Sequence, residues 1–370
     1  MRAYLLIALI AALVTFFATG MVLKLAHKYQ LYAQIRSRDV HKVPTPRLGG
    51  AAMTLGFVIA VGAAALLGWF RSVFVDPSKI ITILICAVLI SALGVLDDLY
   101  DLDWTLKLAG QFIVAGLLAW QGVQIVSLPI AGITVGSFGT SLIVTVFVTV
   151  LVMNAVNFID GLDGLVAGVV LIGTVVFFAY SYLLTQQTSP TNYFNIATLL
   201  SAIVIGICAG FLPWNWRPAK IFMGDGGALL LGLLMSASAL TVTGQIDPQQ
   251  VTKTDTVPAI LPLLLPLAIL VLPLLDFALA VIRRLRAGKS PFSADRKHIH
   301  HRLQDFGHSH VGSVLVFYVW TALISVTVLL FFFIPSRQIA WFFWPGFIAA
   351  SVYTVWPVVK HPAVKGRKRV

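Results

Sequence analysis

Apolar runs of about 20 residues recur from one end of this chain to the other, and a run of that length is what one α-helix needs to cross a bilayer. Eleven can be marked, near residues 3–23, 51–70, 79–96, 108–126, 141–158, 165–184, 196–212, 227–243, 258–282, 313–334 and 338–357. In hydrocarbon each backbone N–H and C=O must be satisfied within its own segment, so these runs predict helices. A chain of 370 residues that is 59% hydrophobic and 11% charged is too apolar for a water-soluble fold. The expected class is an all-α integral membrane protein with about eleven transmembrane helices. Residues 1–370 read as a single polytopic domain, without low-complexity linkers or internal repeats. The first run reads as a retained helix, because no small-residue cleavage site followed by a soluble domain comes after it. Cys86 and Cys208 both fall inside apolar runs and read as small core residues, not as a disulfide or metal framework.

The basic residues set an expected orientation. Of the 26 Lys and Arg residues, all but Arg2, Arg71, Lys79, Lys253 and Arg337 fall in the odd-numbered loops (24–50, 97–107, 159–164, 213–226, 283–312) or the C-terminal tail. The positive-inside rule places those loops and the C-terminus in the cytoplasm and the N-terminus outside. The net charge of +12 suits anionic headgroups or a phosphorylated substrate. Nucleic acid is not an expected partner, because the basic residues are divided among short loops and form no stripe.

All 14 acidic side chains are aspartates, and most lie in the short polar gaps assigned to the cytoplasmic side. A carboxylate costs about 2.5–3.5 kcal/mol at the centre of a membrane helix, so a gathering of them at one face points to a site for a hard cation. Asp97-Asp98 ends one run, with Lys107 at the mouth of the next. Adjacent carboxylates repel, so a cation is expected beside them. Read alone, the pair is a solvated helix end; with the lysine it looks like a phosphate and metal site. Asn154, Asn157, Asp160 and Asp163 recur at every third position, which keeps them near one face of a continuing helix. Gly161 and Gly164 interrupt that helix and expose backbone amides.

Three further segments complete the set. Phe222-Met223-Gly224-Asp225-Gly226-Gly227 opens the eighth run. A carboxylate between glycines is open from several directions, which suits Mg²⁺, and amides at a helix start suit an anion; the bland alternative is a turn with an N-cap. His41 to Gly50 carries Pro44, Pro46, Gly49 and Gly50 with Lys42 and Arg47. These two cations can grip phosphate or a nucleobase carbonyl, or simply anchor the loop. The longest cytoplasmic loop, 283–312, holds Asp295-Arg296-Lys297-His298-Ile299-His300-His301-Arg302. Adjacent histidines without a nearby cysteine fit zinc poorly, and donors to a pyrophosphate fit better. Asp276 is a candidate partner for one of these cations.

Taken in order, Pro-Arg-Leu-Gly-Gly, Asp-Asp, Asn-x-x-Asn-x-x-Asp-Gly-x-Asp-Gly, Phe-Met-Gly-Asp and Asp-Arg-x-His-x-His-His-Arg resemble the polyprenyl-phosphate N-acetylhexosamine-1-phosphate transferase family over nearly the whole chain. The His298-Ile299-His300-His301-Arg302 order is similar to the bacterial undecaprenyl-phosphate GlcNAc-1-phosphate branch, since the MurNAc-pentapeptide translocase branch carries three consecutive histidines followed by Phe. The resemblance implies transfer of GlcNAc-1-phosphate from UDP-GlcNAc to undecaprenyl phosphate in the plasma membrane, giving undecaprenyl-diphosphate-GlcNAc and UMP. It is the first membrane step of a cell-envelope glycan such as lipopolysaccharide or teichoic acid.

It implies Mg²⁺ (or Mn²⁺) at Asp225 with Asn157 near the metal and diphosphate, and Phe222 stacked on uracil with Asp160 and Lys42 at its edge. Asp97, Asp98 and Lys107 would handle the lipid phosphate as the catalytic group. Asp163 belongs to the same substrate-binding set, and the segment from His298 to Arg302, with His300 and His301, would meet sugar and diphosphate. A homodimer is also expected from the resemblance. The alternatives are a phospho-MurNAc-pentapeptide translocase and, from another class, a secondary transporter of a phosphorylated solute. The clustering of polar groups at one surface disfavours the transporter.

Overall fold

The computed structural model describes residues 1–31, 45–125, 137–188, 194–243, 265, 268–288 and 299–360. The expected uracil-edge residue Lys42 and the loop residue His298 lie outside them, as do the side chains of His300 and His301. Every regular element among the described residues is helical. The helices are α1 (Arg2–Lys28), α2 (Gly49–Leu66), a 3₁₀ segment (Gly68–Phe74), α3 (Ser78–Tyr100), α4 (Trp104–Trp120), α5 (Phe138–Phe158) and α6 (Leu165–Thr188). Then follow α7 (Ile196–Asn215), α8 (Gly224–Thr243), α9 (Val271–Arg286), the short α10 (Ile299–Asp305), α11 (His310–Leu330) and α12 (Ser336–Lys360).

Nine of the described helices are long and apolar enough to cross a membrane. The expected span near 108–126 is the apolar but shorter α4, of 17 residues. The described end of the expected span near 258–282 is α9, of 16 residues, whose last turn carries Arg283, Arg284 and Arg286. The chain is a multi-pass membrane protein. Its outer surface agrees with that: α1 turns Tyr4, Ile7, Ala11 and Thr15 inward and leaves Leu5, Leu9, Leu13 and Phe17 exposed. Such an apolar exterior is stable against lipid and would be costly against water.

Helix α8 is the axis of the bundle. It is almost entirely buried and packs on α2, α3, α5 and α7, whereas α12 at the periphery is little buried. The packing around α8 depends on missing side chains. A Cβ on Gly94 of α3 would stand 2.4 Å from the Gly226 Cα, and one on Gly50 of α2 would stand 2.2 Å from the Gly227 backbone nitrogen. Three helices therefore meet backbone to backbone at one end of α8, the close approach that small residues permit between membrane helices.

Candidate active site

The site begins with how helix ends are satisfied. The first N–H groups of a helix have no partner within it. At α2 they are supplied by the turn before α8: Gly49 N–H donates to the Phe222 carbonyl at 3.0 Å and Gly50 N–H to the Met223 carbonyl at 2.9 Å. Phe222 N–H returns a bond to the Pro46 carbonyl at 2.8 Å. The Pro-Arg-Leu-Gly-Gly and Phe-Met-Gly-Asp segments, distant in sequence, are thus zipped together.

At α8 the N-terminal amides are taken by a side chain from α3. Asp98 Oδ2 accepts from Gly226 N–H at 3.3 Å, and the Asp225 N–H also points to this carboxylate. A carboxylate there is favoured by the partial positive charge of the helix start. Gly224 has φ +69°, and a Cβ on it would lie 2.3 Å from Asp98 Oδ2. The glycine is required by conformation and by space. The amides that the sequence offers to a substrate anion are therefore engaged by Asp98.

The α3–α4 hairpin places the other half. Asp101 adopts φ 54° and ends α3, its N–H donating to the Asp97 carbonyl at 2.8 Å. Asp is one of the few residue types that tolerate this left-handed conformation. Leu102 N–H donates to Asp97 Oδ1 at 2.9 Å, and Asp103 caps α4 by accepting from Thr105 N–H at 2.9 Å. That turn brings Lys107 back over the end of α3. Its Nζ lies 2.7 Å from Asp97 Oδ2 and also donates to Asp225 Oδ2. Asn157, at the end of α5, hydrogen-bonds the same Asp225 carboxylate. Asp97, Asp98, Lys107, Asn157 and Asp225 thus converge from four helices.

Asp160, half-buried in the turn after α5, faces the Asp225 charge and the Arg47 guanidinium. Withdrawal from water, helped by Asp225 and opposed by Arg47, pushes its carboxyl up to about 7. Phe222, on the turn before α8, is half-buried.

The every-third-residue series divides by role. Asn154 turns away from the cleft, donating to the buried Gln111 on α4 and to the Val150 carbonyl. Asp163 is 3% exposed. It accepts from Ala219 N–H at 3.3 Å and lies 3.9 Å from both Arg217 and His310. It ties the turn after α5 to the turn after α7. Asn215 reinforces that tie, accepting from Gly164 N–H at 2.9 Å and donating to the Ile221 carbonyl at 3.0 Å. Sequence reasoning passed over Gln111, Asn215, Arg217 and His310. A buried amide carries no periodic signal, and its partners lie far off in the chain.

Asp276 is fully buried and accepts from Ile299 N–H at 2.8 Å, pinning the start of α10, where Arg302 is exposed. The described contact of Asp276 with this segment is a helix amide. Arg284 lies over the Phe158 ring at 5.8 Å and joins α9 to the end of α5.

The donor set suits a hard divalent ion. Carboxylate oxygens of Asp97 and Asp225 meet at the Lys107 ammonium, and the amide of Asn157 hydrogen-bonds the Asp225 carboxylate. Thiolate and imidazole, the softer donors, take no part in these contacts. Among the described residues no three His, Cys, Asp or Glu side chains form a closed metal cage. An ion such as Mg²⁺ takes one or two protein carboxylates and fills its shell with water and phosphate.

Fold and site together define a polytopic membrane protein with a cluster of aspartates around one lysine at one end of its bundle. The glycosyl transferase family 4 model matches residues 80–243. The decaprenyl-phosphate N-acetylglucosaminephosphotransferase of Mycobacterium leprae (strain TN) is 37% identical over 364 residues, covering 97% of this chain and 92% of the relative. The probable undecaprenyl-phosphate N-acetylglucosaminyl 1-phosphate transferase of Bacillus subtilis (strain 168) is 35% identical over 327 residues, 87% of this chain and 83% of the relative. The phospho-N-acetylmuramoyl-pentapeptide-transferase of Desulforudis audaxviator (strain MP104C) is 31% identical over 346 residues, 86% of this chain and 95% of the relative. The chain belongs to glycosyl transferase family 4, and it is a membrane transferase.

Proposed function

We propose that this enzyme transfers GlcNAc-1-phosphate from UDP-GlcNAc to a polyprenyl phosphate, giving polyprenyl-diphosphate-GlcNAc and UMP. The observation that carries the reading is the convergence of Asp97, Asp98, Lys107, Asn157 and Asp225 at one end of a membrane bundle. A lipid phosphate at the headgroup level and a water-borne nucleotide sugar can meet there. With the eleven crossings expected from the apolar runs, the distribution of basic residues supports this end in the cytoplasm and the N-terminus outside.

In the reaction a phosphate oxygen of the lipid attacks the sugar-linked phosphorus. The new P–O bond forms as the anhydride bond to UMP breaks, and UMP leaves with the electron pair. One phosphoanhydride replaces another, so the exchange is close to isoenergetic. A phosphate monoester has its second pKa near ~6, so the nucleophile is already largely ionised at neutral pH and needs no strong base. Catalysis then rests on positioning and on neutralising charge. Asp225, Asn157 and Asp97 would hold Mg²⁺, which offsets the negative charge of the diphosphate. On this reading Lys107 would meet the lipid phosphate, Phe222 and Asp160 the uracil, and Arg302 the sugar diphosphate, a role the resemblance also gives to His298, His300 and His301. Asp98 fixes the start of α8 and thereby the direction of Asp225.

The acceptor expected from the motifs is undecaprenyl phosphate, while the mycobacterial relatives are named for decaprenyl phosphate. The Desulforudis relative favours a second reading, transfer of phospho-MurNAc-pentapeptide. Purified protein in detergent is offered UDP-GlcNAc or UDP-MurNAc-pentapeptide with either lipid. UMP and a lipid-soluble GlcNAc product support the proposal. Product from the pentapeptide donor alone, or from neither, overturns it.

A further inference from the structure

Lys107 stands where a metal would be expected. Its ammonium bridges Asp97 and Asp225 across the gap between α3 and α8, and is the cation seen between those two carboxylates. Its side chain is 23% exposed, so it is held in the cleft and not solvated outside it. Two carboxylates this close repel one another, and the Lys107 ammonium lies between them. A divalent ion needs the same oxygens, and like charges cannot share that space. The lysine arm is flexible and reaches from the first turns of α4.

We infer that Lys107 is a built-in occupant of the cation position, which a divalent ion must displace, and that displacement turns the ammonium toward the anionic lipid phosphate. The inference rests on the metal-dependent reading proposed above. It makes the enzyme two-state: a closed form with the lysine between the carboxylates, and an open form with the ion there and the lysine free to bind phosphate. A ligand that binds only the open form has its apparent affinity lowered by the fraction of open form present. The lysine thus keeps metal affinity low until metal and lipid phosphate arrive together, each favouring the form that the other needs.

The test uses full-length protein in detergent, without substrate, and Mn²⁺ binding read by loss of the free-ion EPR signal. Lys107→Met and Lys107→Gln are expected to bind Mn²⁺ at least about tenfold more tightly than wild type. The glutamine variant keeps N–H donors for the two carboxylates while removing the charge. A measurement on wild type alone does not depend on how the variants fold. Acylation of Lys107 by an amine-reactive reagent, read by mass spectrometry, is expected to speed up when Mg²⁺ is added.

Unchanged or weaker Mn²⁺ binding in the Lys107 variants, or a Lys107 labelling rate indifferent to Mg²⁺, overturns the inference. If Asp225→Ala still loses the ion in that case, the metal reading itself stands. If Asp225→Ala binds Mn²⁺ as wild type does, the metal reading fails and the inference with it.

Discussion

Gly94 on α3 and Gly226 on α8 touch backbone to backbone, with 2.4 Å separating a Cβ built on the first from the Cα of the second. The contact lies one helical turn from Asp97 and Asp98 and directly beside Asp225. It therefore sets the distance between the carboxylates that α3 and α8 bring to the cleft.

Gly94→Ala is expected to push α3 and α8 apart. Transfer should fall by more than about tenfold, with reduced thermal stability, because overpacking displaces backbone that has no room to move. Gly62→Ala on α2 is the control, since its added Cβ meets nothing within 4 Å. UMP release and melting in detergent are measured for both. Equal behaviour of the two variants would remove the seam from the account of the site.

Asp225→Ala should abolish transfer while the protein remains folded, since it removes an oxygen donor and leaves the helix intact. Chelation of divalent ions should mimic it in wild type and be reversed by Mg²⁺. Near-normal Mg²⁺-dependent turnover in the variant would retire Asp225 as a ligand.

Asn215→Ala removes the two bonds by which Asn215 reinforces the tie between the turn after α5 and the turn before α8. It leaves a buried N–H and a buried carbonyl without that partner, at a cost of about 1–3 kcal/mol. Reversible unfolding in detergent reads the loss. A fall in turnover beyond the loss of folded protein would show that the two turns position the cleft.

Asp98 accepts from the start of α8 and so is engaged structurally before any substrate arrives. Asp98→Asn is expected to lower turnover with a pH–rate profile parallel to that of wild type. A variant that lacked a general base would regain rate as pH rises and the lipid phosphate becomes fully ionised. Recovery at alkaline pH would therefore assign Asp98 the base role.

Much of this was legible in the chain. Apart from the run near 258–282, most of which before 271 lies outside the described residues, the apolar runs gave helices within a few residues of where they lie, because crossing a bilayer leaves the backbone little choice. Asp97, Asp98, Lys107 and Asp225 stood out because charge is rare in such a sequence, and Asn157 because it belongs to a polar series at every third position. The division of the Asn/Asp series was not legible. Asn154 and Asn157 share a face by spacing, yet one meets Gln111 and the other Asp225. Asp160 and Asp163 look alike in sequence, yet one faces the cleft and the other is sealed against Ala219, Arg217 and His310.

The sequence by itself determined a membrane-crossing helical chain and the polar residues worth watching, since hydrocarbon fixes both the length of each span and the rarity of charge. Only the tertiary structure decided which distant turns meet, that Asp98 caps α8, and that Lys107 sits between Asp97 and Asp225. Those outcomes depend on how closely backbones can approach at a few glycines. That is a property of three helices together, and no single stretch of residues carries it.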